Sequence, residues 1–254
     1  MLAPLALGAV YLGHPFWDAL IAVLAGLMAW EWAKLCDGGQ LTRAGIALIA
    51  ASLAALAVAE LWGFEWSLIA VAASALSCAA VAATRTRSRP AWFALGAIYV
   101  SLPCLALIWI RTVPQDGLAT LLWLLAIVWA TDTAAYFAGR AIGGAKLAPR
   151  ISPNKTWAGL AGGTVAAGLV GLVFGLAIPA VTLWLFIAIS AGLAIVEQAG
   201  DLFESAVKRH FGVKDSGNLI PGHGGVLDRV DGLLAVAITV AVLTLCAGSS
   251  PLTW

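Results

Sequence analysis

The chain has 254 residues, 62% of them hydrophobic and 11% charged, with a formal net charge of +1. Soluble domains are about 45 to 50% apolar, so this composition excludes a soluble protein and defines an integral membrane one. The near-zero charge provides no overall field to recruit nucleic acid, and the four cysteines, without a CxxC or a His/Cys cluster, imply neither a disulfide framework nor a zinc site.

A hydrocarbon core of ~30 Å takes about 20 apolar residues of helix. That ruler predicts an all-α polytopic fold of nine segments, near 2–13, 15–36, 41–62, 64–83, 91–112, 117–138, 157–178, 180–199 and 231–248. The first is too short to span comfortably and reads as a half-helix or re-entrant piece. With no basic n-region and no convincing cleavage site in MLAPLALGAVYLGHPF, it is expected to be a short first span rather than a signal peptide.

Basic residues concentrate in alternate connections: Lys34 and Arg43; Arg85, Arg87 and Arg89; Arg140, Lys146, Arg150 and Lys155; and Lys208, Arg209, Lys214 and Arg229. The positive-inside rule puts these connections, including the long polar loops 139–156 and 200–230, on the cytoplasmic face. The run TRTRSRP at 84–90 reads as an anchor that also meets anionic headgroups. Gly159, Gly163, Gly168, Gly171 and Gly175 suit close helix packing in lipid, and Trp62, Trp66, Trp92 and Trp109 near segment ends suit an interfacial belt.

Asp132 lies inside the sixth segment, ~9 Å from its cytoplasmic end at 1.5 Å per residue. Tyr136 and Arg140 follow at i+4 steps, making one polar stripe toward the cytoplasm. The competing reading is an internal ion pair or helix–helix hydrogen bond. In the next loop, GRAIGGAKLAPRISPNKTWAG, Pro149 and Pro153 break helix, and Ser152 or Asn154 is expected to cap the seventh segment. Lys155 and Arg150 at that helix start suit an anion such as phosphate, although capping and positive-inside charge explain them equally well.

The stretch Glu197–Asp231 packs six acidic and four basic residues between two apolar runs. Ionisable groups near a membrane are costly to keep unless they serve a site, a pathway or a surface. Continued as helix, Glu197, Asp201, Ser205 and Lys208 share one face, with Glu204 beside it. A carboxylate beside a lysine matches a metal-bound nucleotide, and the glycines of LIPGHGG, Gly224 and Gly225 among them, let backbone approach phosphate. Asp228 and Asp231 lie three apart at the start of the ninth segment, with Arg229 between them. Asp201, Asp228 and Asp231 are therefore expected to converge as ligands for one or two divalent cations. The competing reading is a salt-bridge cluster joining two helices. His223 has no evident partner and is as consistent with a structural role as with a catalytic one.

From Ser205 to Asp231 the sequence SAVKRHFGVKDSGNLIPGHGGVLDRVD resembles the signature of phosphatidate cytidylyltransferases, the CDP-diacylglycerol synthases. GDLFES, DTAAYFAGR and ISPNKT look like further patterns of that family, so the resemblance covers the chain from Asp132 onward. One departure is visible: after SPNKTW the family usually has Glu, and here the residue is Ala158. The resemblance implies a membrane enzyme that uses Mg²⁺ to turn CTP and phosphatidic acid into CDP-diacylglycerol and pyrophosphate and requires no protein nucleophile; a second cation and a homodimer are further expectations.

On that resemblance Asp201, Asp228 and Asp231 are expected to hold metal, with Asp132, Lys155, Ser205, Lys208 and Arg229 catalytic. Arg140, Asn154, Arg209, Lys214, His223, Gly224 and Gly225 are expected to bind substrate. Residues 1–112 would form N-terminal transmembrane helices, and 113–254 a catalytic transmembrane domain at the cytoplasmic face of a bacterial inner membrane. Two alternatives stay open. One is a related cytidylyltransferase or CTP-dependent kinase with an isoprenoid acceptor; the other is an ion-coupled lipid transporter using Asp132, Glu197 and Asp201 as a buried pathway.

Overall fold

The computed structural model describes residues 2–84, 89–112, 116–178, 181–219 and 224–254. Its helices are α1 (Leu2–Leu12), α2 (Phe16–Cys36), α3 (Arg43–Trp62), α4 (Phe64–Ala83), α5 (Pro90–Thr112), α6 (Gly117–Ile142), α7 (Trp157–Ala177), α8 (Leu183–His210) and α9 (Leu227–Ala247). Eight are long and apolar enough to cross a membrane. The chain is an all-α, polytopic integral membrane protein. At 11 residues, α1 falls short of a span, as its apolar run implies. The Arg111 guanidinium donates to the carbonyls of Val10 and Tyr11 at 2.8 and 3.4 Å, closing the C-terminal end of α1.

The largest departures from the apolar ruler are at polar helix ends. α8 runs on to His210, eleven residues past the expected 199, because a helix can leave the apolar slab while its charged face is satisfied. α9 begins at Leu227, four residues before the expected start. The loop after α6 carries a two-stranded antiparallel hairpin, β1 (Lys146–Ala148) with β2 (Ser152–Thr156). Its tight turn puts Pro149 second, where the ring's fixed φ is favoured, and closes with Ile151 N–H donating to Ala148 O at 3.1 Å. Ser152 and Asn154 are thereby drawn into β2, and neither caps α7. Thr156 does so instead, its Oγ1 accepting from Gly159 N–H at 3.0 Å.

The chain forms two compact units. The first comprises residues 1–11, 110–209 and 230–254, the second 12–109 and 210–229. In the first, α7 packs through glycines on two sides. A Cβ on Gly159 would lie 2.9 Å from Ala135 O, and one on Gly163 3.0 Å from Thr131 Cγ2, both on α6. Gly171 and Gly175 meet Ser190 and Leu183 on α8 in the same way. Trp123 stacks on Phe186 at 4.7 Å between centroids and donates to Ser190 Oγ at 3.0 Å.

Gly162 is the tightest of these positions, since a Cβ there would overlap that of Ala138. Gly162→Ala is expected to cost ~1–3 kcal/mol by overpacking, read as a lower thermal midpoint in detergent. Gly168→Ala, whose Cβ would find its nearest neighbour at 3.7 Å, should be neutral or stabilising, as alanine is the better helix former.

In the second unit the buried Trp32 donates to Trp92 O at 2.8 Å and packs on Tyr99. Trp62 and Trp66 are exposed, as an interfacial belt requires, but Trp109 is buried against Phe64 and serves the core. Trp92 stacks on His210. Of the run at 84–90, residues 85–88, with Arg85 and Arg87, lie outside the described residues.

Candidate active site

In the first unit two close approaches bring α8 and α9 together. A Cβ on Gly200 would lie 2.7 Å from that of Ala235, and one on Gly232 2.7 Å from Glu197 Oε1. With no side chains between them, the helices bring Asp201 and Asp231 near enough to repel one another electrostatically. One turn earlier on α8, Glu197 is buried and within hydrogen-bonding reach of Asp132 on α6. Two carboxylate pairs thus lie along one face.

Lys155, held on β2 just ahead of the Thr156 cap, reaches into this cluster. Its Nζ lies 2.5 Å from Asp201 Oδ2 and donates to Gln198 Oε1 at 2.8 Å, while Gln198 Nε2 donates to Glu197 Oε2 at 2.9 Å. Ser205 Oγ donates to Asp201 Oδ1 at 3.4 Å, which confirms the shared helical face. Lys208 pairs at 2.5 Å with the buried Glu204, and its charge also acts on Asp231.

The cluster therefore sets the carboxylates of Asp132, Glu197, Asp201, Glu204 and Asp231 against the two ammonium groups of Lys155 and Lys208. Facing like charges with hard oxygen donors are a donor set that fits a divalent cation such as Mg²⁺. Asp201 and Asp231 offer such oxygens from two helices, with the charge of Asp201 acting on Asp231.

Gly224, Gly225 and Asp228 belong to the second unit. Asp228 accepts from Gly225 N–H at 2.8 Å, and from the N–H and Oγ of Ser216 at 3.0 Å each. Its oxygens are thus engaged by their own loop. Gly224 has φ +81°, where a side chain would be strained, and a Cβ there would stand 2.8 Å from Asp228 Oδ2.

Beneath that loop sits a residue the sequence did not single out. Glu31 of α2 is fully buried, and its carboxylate accepts from Val226 N–H and Leu227 N–H at 2.8 Å each and from Ser216 Oγ at 3.2 Å. It serves as the N-terminal cap of α9, and the dipole of that helix supplies the compensating positive end. A Cβ on Gly217 would lie 2.7 Å from Glu31 Oε1, and one on Gly225 2.7 Å from both carboxylate oxygens, which explains why glycine stands at both positions. The available signal was a carboxylate inside an apolar run, between Trp30 and Trp32.

The other expected substrate contacts are dispersed. Arg140 donates to Tyr136 OH at 2.8 Å on the exposed end of α6, and Arg209 Nε to Ile151 O at 3.3 Å. Asn154 and Lys214 are exposed, as is Arg229 of the expected catalytic set, and His223 lies outside the described residues.

Membrane-crossing helices that carry a cluster of carboxylates and lysines at their polar ends define a class: an integral membrane protein with a charged site built on its helices. A family model described as "Cytidylyltransferase family" matches residues 1–247, and the chain belongs to that family. It is 41% identical over 232 residues to the phosphatidate cytidylyltransferase of Brucella suis, covering 86% of this chain and 80% of that protein. It is also 44% identical over 155 residues to that of Bacillus subtilis, covering 60% and 57%, and 43% identical over 161 residues to that of Rickettsia bellii, covering 60% and 68%.

Proposed function

We propose that this chain transfers the cytidylyl group of CTP to phosphatidic acid, giving CDP-diacylglycerol and pyrophosphate, at the cytoplasmic face of a bacterial inner membrane. The observation that carries the reading is the cluster of Lys155, Asp201 and Asp231, in a chain whose relatives bear the name of that activity. The basic residues of the loops at 139–156 and 200–230 support the cytoplasmic side.

In this reaction an oxygen of the lipid phosphate bonds to the α-phosphorus of CTP. The bond from that phosphorus to the oxygen bridging to the β-phosphorus breaks, and pyrophosphate carries the electron pair away. The lipid is itself the nucleophile, so the protein has to align two anions and offset their repulsion. Mg²⁺ held by Asp201 and Asp231 would neutralise phosphate charge and polarise the phosphoryl oxygens. Lys155 would exchange its contact with Asp201 for a phosphate oxygen, with its bond to Gln198 keeping the ammonium aimed. Lys208, tied to Glu204, adds positive charge beside Asp231. A groove of about 310 Å³ between α7 and α8, lined by Val165, Leu169, Leu172 and Ile187, has the apolar character an acyl chain needs.

Purified protein supplied with labelled CTP, Mg²⁺ and phosphatidic acid should yield labelled CDP-diacylglycerol and equimolar pyrophosphate, with no product when the lipid is omitted. Preference for a polyprenyl phosphate, phosphorylation of a lipid without pyrophosphate release, or no turnover by folded protein would overturn the assignment.

A further inference from the structure

At the other end of α2 from Glu31, a second set of metal-ligating side chains comes together. His14 lies in the turn before α2, Asp18 in its first turn, and Glu60 in the last turn of α3. One ligand atom from each lies within 4.8 Å of the others. His14 Nδ1 is 2.6 Å from Asp18 Oδ2 and 3.8 Å from Glu60 Oε2. Ligand atoms about 2.0–2.2 Å from a tetrahedral metal stand ~3.3–3.5 Å from one another, a spacing these distances bracket.

A plain i, i+4 ion pair at the helix start accounts for His14 and Asp18 alone. It leaves Asp18 Oδ1 unexplained, because that oxygen is buried and has no hydrogen-bond partner among the described residues, on a side chain only 10% exposed. Such an atom is costly without a donor or a cation. It shares its carbon with Oδ2, the oxygen that meets His14. Within the described residues, the ion pairs of both acids are with His14. His14 is 64% and Glu60 40% exposed, so an ion can enter and complete its shell with water.

We propose that His14, Asp18 and Glu60 form a divalent transition-metal site that clips the start of α2 to the end of α3. One imidazole nitrogen with two carboxylates suits Zn²⁺ better than Mg²⁺, which takes all-oxygen shells. Asp18 and Glu31 are thirteen residues apart on one helix, ~20 Å at 1.5 Å per residue. The metal would therefore lie at the opposite end of α2 from the glycine-lined loop, a structural clip rather than part of the transfer chemistry.

Calorimetric titration of the protein in detergent with Zn²⁺, in saturating Mg²⁺, should give one high-affinity site per chain and a further rise in the thermal midpoint. His14→Ala and Glu60→Gln should each weaken Zn²⁺ binding at least ~10-fold while leaving turnover with CTP and phosphatidic acid unchanged. Using both variants keeps the test decisive if one fails to fold. Absence of Zn²⁺ binding by the unaltered protein, undiminished binding in both variants, or loss of the Zn²⁺ site in Asp201→Asn instead would overturn the proposal.

Discussion

Asp231→Asn is expected to lower kcat for CDP-diacylglycerol formation by about 1,000-fold without lowering the thermal midpoint. The two effects separate because the side chain faces Asp201, another carboxylate. Removing one of two like charges relieves repulsion in the resting protein, so the amide should leave stability equal or higher. The same change removes a hard anionic ligand and should shift the Mg²⁺ dependence to higher concentration. Asp201→Asn should match the loss of rate but not the gain in stability, since it also strips Lys155 of its 2.5 Å partner. Rates are to be read with labelled CTP on folded, monodisperse protein, alongside thermal melts and a Mg²⁺ titration. Turnover near that of the unaltered chain in either variant would remove these carboxylates from the reaction.

The apolar spans were legible because the bilayer imposes a length that composition reports directly, as in α3 and α4, whose bounds lie within two residues of expectation. What the ruler measures is the slab rather than the helix. It therefore stopped near 199, while hydrogen bonding carried α8 on to His210. The hairpin at 146–156 was illegible for a different reason: strands of three and five residues beside two prolines show no periodicity. Along one helix the site was readable, since Asp201, Ser205 and Lys208 follow from i+4 and i+3 spacing alone. Across elements it was not. The approach of Asp231 depends on Gly200 and Gly232, and that of Lys155 on a hairpin. Nor does spacing show that the donors of Ser216 and Gly225 engage the oxygens of Asp228.

Glu31→Gln tests the least legible residue, whose partners lie 185 to 196 positions away in the chain. Oε1 accepts from Val226 N–H, and Oε2 accepts from both Leu227 N–H and Ser216 Oγ. An amide keeps one oxygen, so its NH₂ must confront a backbone N–H whichever way it turns. Each buried donor so orphaned costs ~1–3 kcal/mol, which sets the expected fall in stability. The loss of rate should be disproportionate. Leu227 begins the helix that carries Asp231 one turn later, and a shift of ~1 Å at a reacting centre can cost about 100-fold. Glu31→Asp, which keeps the charge on a shorter stem, should recover part of that rate. Gly225→Ala should reproduce the defect from the other side, since its Cβ would press on both carboxylate oxygens at 2.7 Å. If instead the folded fraction of Glu31→Gln turns over CTP at the normal rate with a normal KM, then Glu31 stabilises the loop without positioning the reacting groups.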